Sequence, residues 1–456
     1  MLCVGVWLHS ADTLVTATIA PAIVDDLGGI AYINWTIALY EVGAIIAGAA
    51  AGVICLRWGI KRVFIGATLL YGSGCILGAV APSMASLVCG RFVQGLGGGM
   101  LLSLCYVAVE AWFAPALWNR LFAIVAAIWG AGSLLGPLIG GVFAGRQLWR
   151  GAFWSFAIQA VLLVVLASRW MPTTPRPTNP SGQWPVLTLV MLSAATLIIA
   201  EAGAASDLSK GGIALSIVGS LIGAGLLWLA ARRDRRSAVR LLPVQLLDWR
   251  HPVGAGLLMV FALSVATTGF WAYGPLILKI LFGTRPLVAG YILAGEAIAW
   301  SVATLAVASA TPSADLRLIR CGAVSVVLGA AGYAIAVPSG SMVGMVACGL
   351  LQGAGFGLCW PAIVQRTVRF SDPAEQSLAS ASVSTVQRIG YAVGTAAVGI
   401  AANSSGLAEG VSAAAAKTAG FWVFAAFIPM LVLAVLSAWR FTNPAVAIAV
   451  KLSNDN

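Results

Sequence analysis

A chain of 456 residues that is 60% hydrophobic and only 9% charged, with a mean hydropathy of +0.95, carries more apolar surface than a soluble core can hide. That excludes a soluble globular protein, and the lack of alternating ten-residue segments excludes a strand barrel. The net charge of +11 would suit nucleic acid, but the basic residues sort by side of a membrane, so nucleic acid is not an expected partner.

Apolar runs near the roughly 20 residues that span a bilayer predict fourteen helices. In chain order they lie at 2–24, 33–55, 62–81, 86–110, 120–144, 150–170, 186–205, 211–231, 253–279, 287–309, 317–337, 342–364, 378–402 and 420–440. The first carries Asp12 and Pro21 and has neither a basic leader nor a small-residue cleavage site, so it is expected to remain as a helix rather than be removed. Assigning alternate loops puts eighteen basic residues on one side, among them Arg57, Lys61, Arg62, Arg120 and Arg169, and six on the other. The richer side is therefore expected to be cytoplasmic, with both termini there, in a multi-pass protein of a cell membrane of the bacterial inner-membrane kind.

Two breaks divide the spans. The Pro-rich stretch 171–185 reads as a linker, and the run 232–251, opening with Arg232-Arg233-Asp234-Arg235-Arg236, reads as a basic loop. The expected organisation is a six-helix bundle at 1–170, an inserted helix pair at 186–231 and a second six-helix bundle at 252–456. The bundles look related by a constant offset of 258: Gln94-Gly95 with Gln352-Gly353, Gly132 with Gly390, Gly136 with Gly394, Gly141 with Gly399 and Arg62 with Arg320. A parallel repeat of this kind encloses a central cavity, as alternating access requires.

Within the fifth segment, Gly132-Ser-Leu-Leu-Gly136-Pro137-Leu-Ile-Gly140-Gly141 sets Gly132, Gly136 and Gly140 on one helical face and removes a backbone donor at Pro137. The seam suits close packing of two helices, and its echo at Gly390, Gly394 and Gly399 leads to the expectation that it lies at the boundary between bundles that move. Three acids sit within spans, Asp12, Glu41 and Glu296, where a charge costs at least about 2.5–3.5 kcal/mol. One acid or more in each bundle suits a cationic substrate or protons. Eight cysteines form no Cys-x-x-Cys pair and read as small core residues. With only His9 and His251, no metal-spaced cluster and no nucleotide-binding loop, neither metal nor cofactor is expected, and an integral membrane enzyme is a remote alternative. So is a passive channel.

These features resemble the major facilitator superfamily, specifically its fourteen-helix drug:proton antiporter branch. Gly132 to Gly141 fits the fifth-helix antiporter pattern G-x-x-x-G-P-x-x-G-G, and Arg91-Phe-Val-Gln94-Gly95-Leu-Gly97 fits the fourth-helix pattern R-x-x-Q-G-x-G. Asp12-Thr13 followed by Pro21, and Trp35 with Tyr40, resemble weaker motifs of helices one and two. The loop after helix two departs from the family: Gly52-Val-Ile-Cys-Leu56-Arg57-Trp-Gly59-Ile-Lys-Arg62 has Leu56 where an acid normally helps latch the cytoplasmic ends. Glu110 is either its substitute or a plain interfacial acid.

The resemblance implies an all-helical fold of two six-helix bundles and a transporter exporting amphipathic, cationic small molecules in exchange for protons, working as a monomer in the bilayer. A dedicated exporter of a metabolite, siderophore or lipid-like compound is the alternative. It further implies that Asp12 carries the coupling proton with Glu41, that Arg91 tunes Asp12, and that Asp12, Glu41, Glu296, Tyr106, Trp129, Trp271 and Trp360 line the substrate cavity. His9, three residues before Asp12, is more simply a packed residue, and Arg388 either pairs across the cavity or reaches for the cytoplasm.

Overall fold

The computed structural model describes residues 1–28, 33–173, 185–204, 210–284, 286–405 and 413–443. Most of the 171–185 linker and the tail with Lys451 thus fall outside the described residues, as do Arg176 and Arg285. The described secondary structure is helical: α1 Leu2–Leu27, α2 Ile33–Trp58, α3 Ile60–Ala79, α4 Met84–Trp112, α5 Trp118–Gly145, α6 Trp149–Trp170, α7 Val186–Ala204, α8 Lys210–Asp234, α9 Pro252–Ala266, α10 Thr268–Phe282, α11 Pro286–Ala306, α12 Asp315–Ala336, α13 Met342–Arg369, α14 Gln376–Ser404, α15 Ala413–Ala425 and α16 Ile428–Phe441. Helices α9 and α10 form one interrupted span, as do α15 and α16. At the first interruption the Thr267 and Thr268 hydroxyls donate to the carbonyls of Leu263 and Val265, both at 2.9 Å. At the second, Pro429 in the first turn of α16 supplies no amide to continue the ladder.

Twelve spans among the described residues are long and apolar enough to cross a membrane, which corrects the expected fourteen. The two that fall short have different reasons. Helix α7 has a shorter apolar stretch, Val186–Ala202. Helix α14 is long but faces protein rather than lipid: Ser380, Ser382, Ser384 and Thr385 are buried along it, and such polar side chains lower hydropathy without exposing anything to hydrocarbon.

Helices α1–α6 pack as one group and α9–α16 as another. The repeat is visible in how glycines admit neighbours. A Cβ on Gly95 of α4 would collide with the carbonyl of Tyr40, and one on Gly353 of α13 with that of Glu296. On α5, a Cβ at Gly132 would lie 2.8 Å from Ser10, and on α14 one at Gly390 would lie 2.6 Å from Ser264. Tyr40 therefore corresponds to Glu296, and Ser10 to Ser264, so the offset of 258 shrinks to 256 and 254 on the partner helices.

The groups meet along α2 with α14 and α5 with α11. Named contacts across this boundary include Ser103 with Ser384 at 3.1 Å, Asn119 to the Ala310 carbonyl at 3.2 Å, Ser301 to the Ala126 carbonyl at 2.5 Å, Trp360 to Tyr106 at 3.3 Å and Ser377 to Glu110 at 3.1 Å. All lie between mid-membrane and the face that bears residue 1 and the basic loop, called here the basic face. Helix α7 lies across the α2 and α14 boundary, where Leu192 joins Ala49, Val53 and Leu378 in one apolar cluster with Leu241 and Leu242 of the basic loop.

Candidate functional site

Asp12 is fully buried at mid-α1, and three groups from two helices donate to its carboxylate. Arg91 of α4 donates to Oδ2 at 2.7 Å, while Gln94 donates to Oδ1 at 2.9 Å and Thr16 at 3.4 Å. Arg91 and Gln94 stand three residues apart on one face, so the same helix supplies both donors. The guanidinium also donates to Gln94 Oε1 at 2.8 Å and to the Thr36 carbonyl at 3.2 Å, and lies 4.2 Å over the Tyr40 ring. Every oxygen of Asp12 is thus occupied, in the manner that makes a buried ion pair tolerable.

Tyr40 connects this unit to a second one. Its hydroxyl is 2.6 Å from His9 Nδ1, and the two rings stack. His9 Nε2 in turn receives Arg388 of α14, whose other amino group pairs with Glu41 of α2 at 2.5 Å. Arg388 therefore crosses from one bundle into the other, ending between α1 and α2. Its side chain is 9% exposed and that of Glu41 is 34% exposed, so the acid is the member of the pair that meets water. Trp129 of α5 places its edge toward the His9 ring at 5.7 Å.

The remaining acid is differently placed. Glu296 of α11 is 5% exposed and accepts from Gln352 at 2.6 Å through Oε1, while Oε2 has no hydrogen-bond partner. Gln352 is the repeat mate of Gln94, so each bundle sets a glutamine amide on a buried acid. Where the first bundle has Arg91, the offset leads to Gly349, and a Cβ there would lie 2.8 Å from the Tyr333 hydroxyl. Hence, among the described residues, no guanidinium pairs with the acid of the second bundle. The indole of Trp271, itself 41% exposed, stands beside Glu296.

Of the expected cavity residues, Asp12, Arg91, Glu41 and Trp129 are brought together with His9 and Arg388. Tyr106 and Trp360 meet each other across the bundle boundary and are buried in an apolar cluster with Val6, Phe122 and Val260. In this arrangement they seal the basic face. Glu296 and Trp271 form a separate unit. The sequence does not signal the contact of Arg388 with Glu41 and His9, since these partners lie 347 and 379 residues from it. The Gln94 and Gln352 pair was signalled by the repeat.

The glycine seam needs a correction: it does not lie at the boundary between bundles. Gly132, Gly136 and Gly140 face Ser10, Leu14 and Thr18 of α1, within the first bundle, while Gly141 meets nothing. Gly130, outside the motif, is the α5 glycine that faces α11, against Ser301. Pro137 is contained within α5 without interrupting it. At the basic face, Gly52 approaches Ser377 and Leu378, and Glu110 accepts from the Ser377 hydroxyl, so this acid does reach the opposite bundle. Gly59 starts α3 at a φ of 77°, a left-handed conformation that suits glycine, between the half-buried Arg57 and the exposed Arg62.

The family model of the Major Facilitator Superfamily matches residues 2–395. A probable multidrug-efflux transporter of Mycobacterium tuberculosis is 29% identical over 460 residues, spanning 97% of this chain and 94% of that protein. The multidrug efflux pump LfrA of Mycolicibacterium smegmatis is 30% identical over 406 residues, spanning 88% and 79%. Among solved structures, the proton:xylose symporter XylE of E. coli superposes with a TM-score of 0.67 at 17% identity, covering 97% of this chain and 94% of that one. A human organic anion transporter gives 0.65 at 13% identity, covering 95% and 98%. At those identities the structural likeness speaks to fold alone.

Proposed function

Because the chain belongs to the Major Facilitator Superfamily, and is a membrane transporter rather than an enzyme, we propose that it exports amphipathic, cationic small molecules in exchange for protons. The relatives named as multidrug-efflux proteins support the direction and breadth of transport. The observation that carries the charge preference is the pair of acids that keep capacity for a ligand. Glu41 is part-exposed to water, and Glu296 is buried with an unfilled oxygen and, among the described residues, no basic partner. A buried carboxylate left in that state is costly, so Glu296 either holds a proton or receives a cation. The aromatic neighbour Trp271 suits a flat apolar cation.

In this reading α1–α6 and α9–α16 are the moving bundles, bounded as 1–170 and 252–456, with the basic face and both termini cytoplasmic in a bacterial membrane. The concentration of inter-bundle contacts from mid-membrane to the basic face then corresponds to a state closed to the cytoplasm. A single chain contains the whole site, so the transporter works as a monomer. Glu110 with Ser377 replaces the latch that Leu56 cannot form.

Proteoliposomes with an imposed pH gradient test the proposal directly. A lipophilic cationic dye is expected to move against its own gradient, with collapse of that movement when the pH gradient is dissipated. Glu296→Gln should abolish it while leaving the thermal midpoint within a few degrees, because no ion pair is broken. Gradient-independent dye movement, or an undiminished Glu296→Gln variant, would refute the assignment.

A further inference from the structure

We infer that His9 is a proton acceptor whose protonation breaks its contact with Arg388 of the opposite bundle, making His9 the group through which proton uptake loosens the two bundles at mid-membrane. The inference rests on the proton-coupled reading above and adds to it the residue that takes the proton and the contact that is lost.

A guanidinium has donors only. Arg388 Nη2 must therefore donate to His9 Nε2, which has to be bare. The ring hydrogen is then on Nδ1, which donates to the Tyr40 oxygen at 2.6 Å. The hydrogen-bond pattern thus fixes both the charge and the tautomer of His9: neutral, with Nδ1–H. A proton can add only at Nε2, and there it would set N–H against N–H and one cation against another. The site is also shaped for the His9 and Tyr40 contact, since a Cβ on Gly98 would fall 3.0 Å from His9 Nδ1 and close to the Tyr40 hydroxyl.

The charged and titratable groups around His9 come from each packed helix. Its own helix supplies Asp12, α2 supplies Tyr40 and Glu41, α4 supplies Arg91 and α14 supplies Arg388, while Trp129 of α5 is uncharged. Neither acid is free to stabilise an imidazolium beside Arg388: Asp12 is committed to Arg91 and Glu41 to Arg388. The strain of a new positive charge therefore falls on the His9 and Arg388 contact. Once that contact breaks, Glu41 alone holds Arg388, and a cationic substrate reaching that part-exposed carboxylate competes for the same partner. Proton and substrate act on one arginine from two sides.

The test uses the full chain in lipid nanodiscs without substrate, so its outcome is separate from that of the export assay. With the native cysteines replaced by Ser, spin labels at Arg120→Cys and Ala374→Cys report the distance between bundles at the basic face as pH falls from 9 to 5. The parent should lengthen through a one-proton transition. Glu41→Gln should retain a transition, whereas His9→Gln, whose amide can accept from Arg388 but cannot be protonated, should lose it, as should Arg388→Gln. A transition that survives His9→Gln or Arg388→Gln, or its absence in the parent, overturns the inference. Should the variants fail to fold, 15N-histidine spectra of the parent decide instead, because the chain has just two histidines. His9 should show unprotonated Nε2 at high pH and gain a proton there on acidification. An Nε2–H tautomer at high pH, or no change down to pH 5, refutes it.

Discussion

Asp12 accepts from Arg91, Gln94 and Thr16, and Arg91 donates as well to Gln94 and to the Thr36 carbonyl. Removing one member of such a pair leaves a buried charge without compensation, which costs about 3–5 kcal/mol. Arg91→Ala should accordingly lower stability by about that amount, read as a fall in thermal midpoint or in yield of monodisperse protein, and Asp12→Asn should fall in the same direction. If instead Asp12→Asn leaves stability unchanged and removes only the pH dependence of transport, the carboxyl is an exchangeable site after all. The Asp12 and Arg91 pair could be anticipated because Arg91 lies within a recognisable motif and a buried cation needs an acid. The Glu41 and Arg388 pair could not, since hydropathy shows which helices are buried but not which faces oppose each other across two bundles. Helical periodicity was of little help where both faces of a helix are apolar.

Among the helices, α5 is the one whose sequence pattern and position disagree most instructively. Its three spaced glycines predict a close contact and there is one, but the contact is with α1, whereas Gly130 touches the opposite bundle through Ser301. Gly136→Leu should push α5 away from Leu14, reducing folding yield before it alters gating, whereas Gly130→Leu should leave the first bundle assembled and disturb transport. Thermal stability measured beside dye transport separates the two. The far end of α1 is pinned differently: Trp149 donates to Asp26 at 3.1 Å, and Arg150 pairs with the same oxygen. The hydrogen bond from Arg150, helped by that from Trp149, holds the Asp26 carboxyl below the usual carboxylate range. A depressed folded-state value means that the interaction stabilises the protein above the ordinary carboxylate pKa and is lost as pH falls through the folded value. Asp26→Asn should therefore lower the thermal midpoint slightly at pH 7, with the gap closing in acid; salt should shrink it too, because both partners are exposed.

For the molecule as a whole, the repeat was legible because glycines at helix crossings tolerate no substitution without moving a backbone, so both copies show the same punctuation. The number of membrane spans was less legible. Hydropathy registers lipid contact, and α14 has its polar face against protein. The placement of α7 was also beyond reach, since nothing in an apolar helix says which neighbours it covers. Lying over the α2 and α14 boundary, it touches both bundles at once. Cross-linking that boundary should stop the cycle: in a background with the native cysteines replaced, Gly52→Cys with Leu378→Cys is expected to abolish dye efflux on oxidation and recover it on reduction. Unimpaired efflux by the cross-linked protein would mean that this boundary does not open during transport.

The polarity of α14 bears on biogenesis as well as on transport. A helix with an arginine near its centre and four buried hydroxyl residues in its first half is a poor candidate for partitioning into lipid by itself, the arginine alone adding about 2.5–3.5 kcal/mol. Its acceptors, Glu41 and His9, are made early in synthesis, on the first two helices. Helix α14 is therefore expected to enter the bilayer as a client of an already assembled first bundle, and Glu41→Ala with His9→Ala should leave it accessible from the aqueous side during synthesis, as glycosylation or cysteine-labelling reporters in a translocon assay would register.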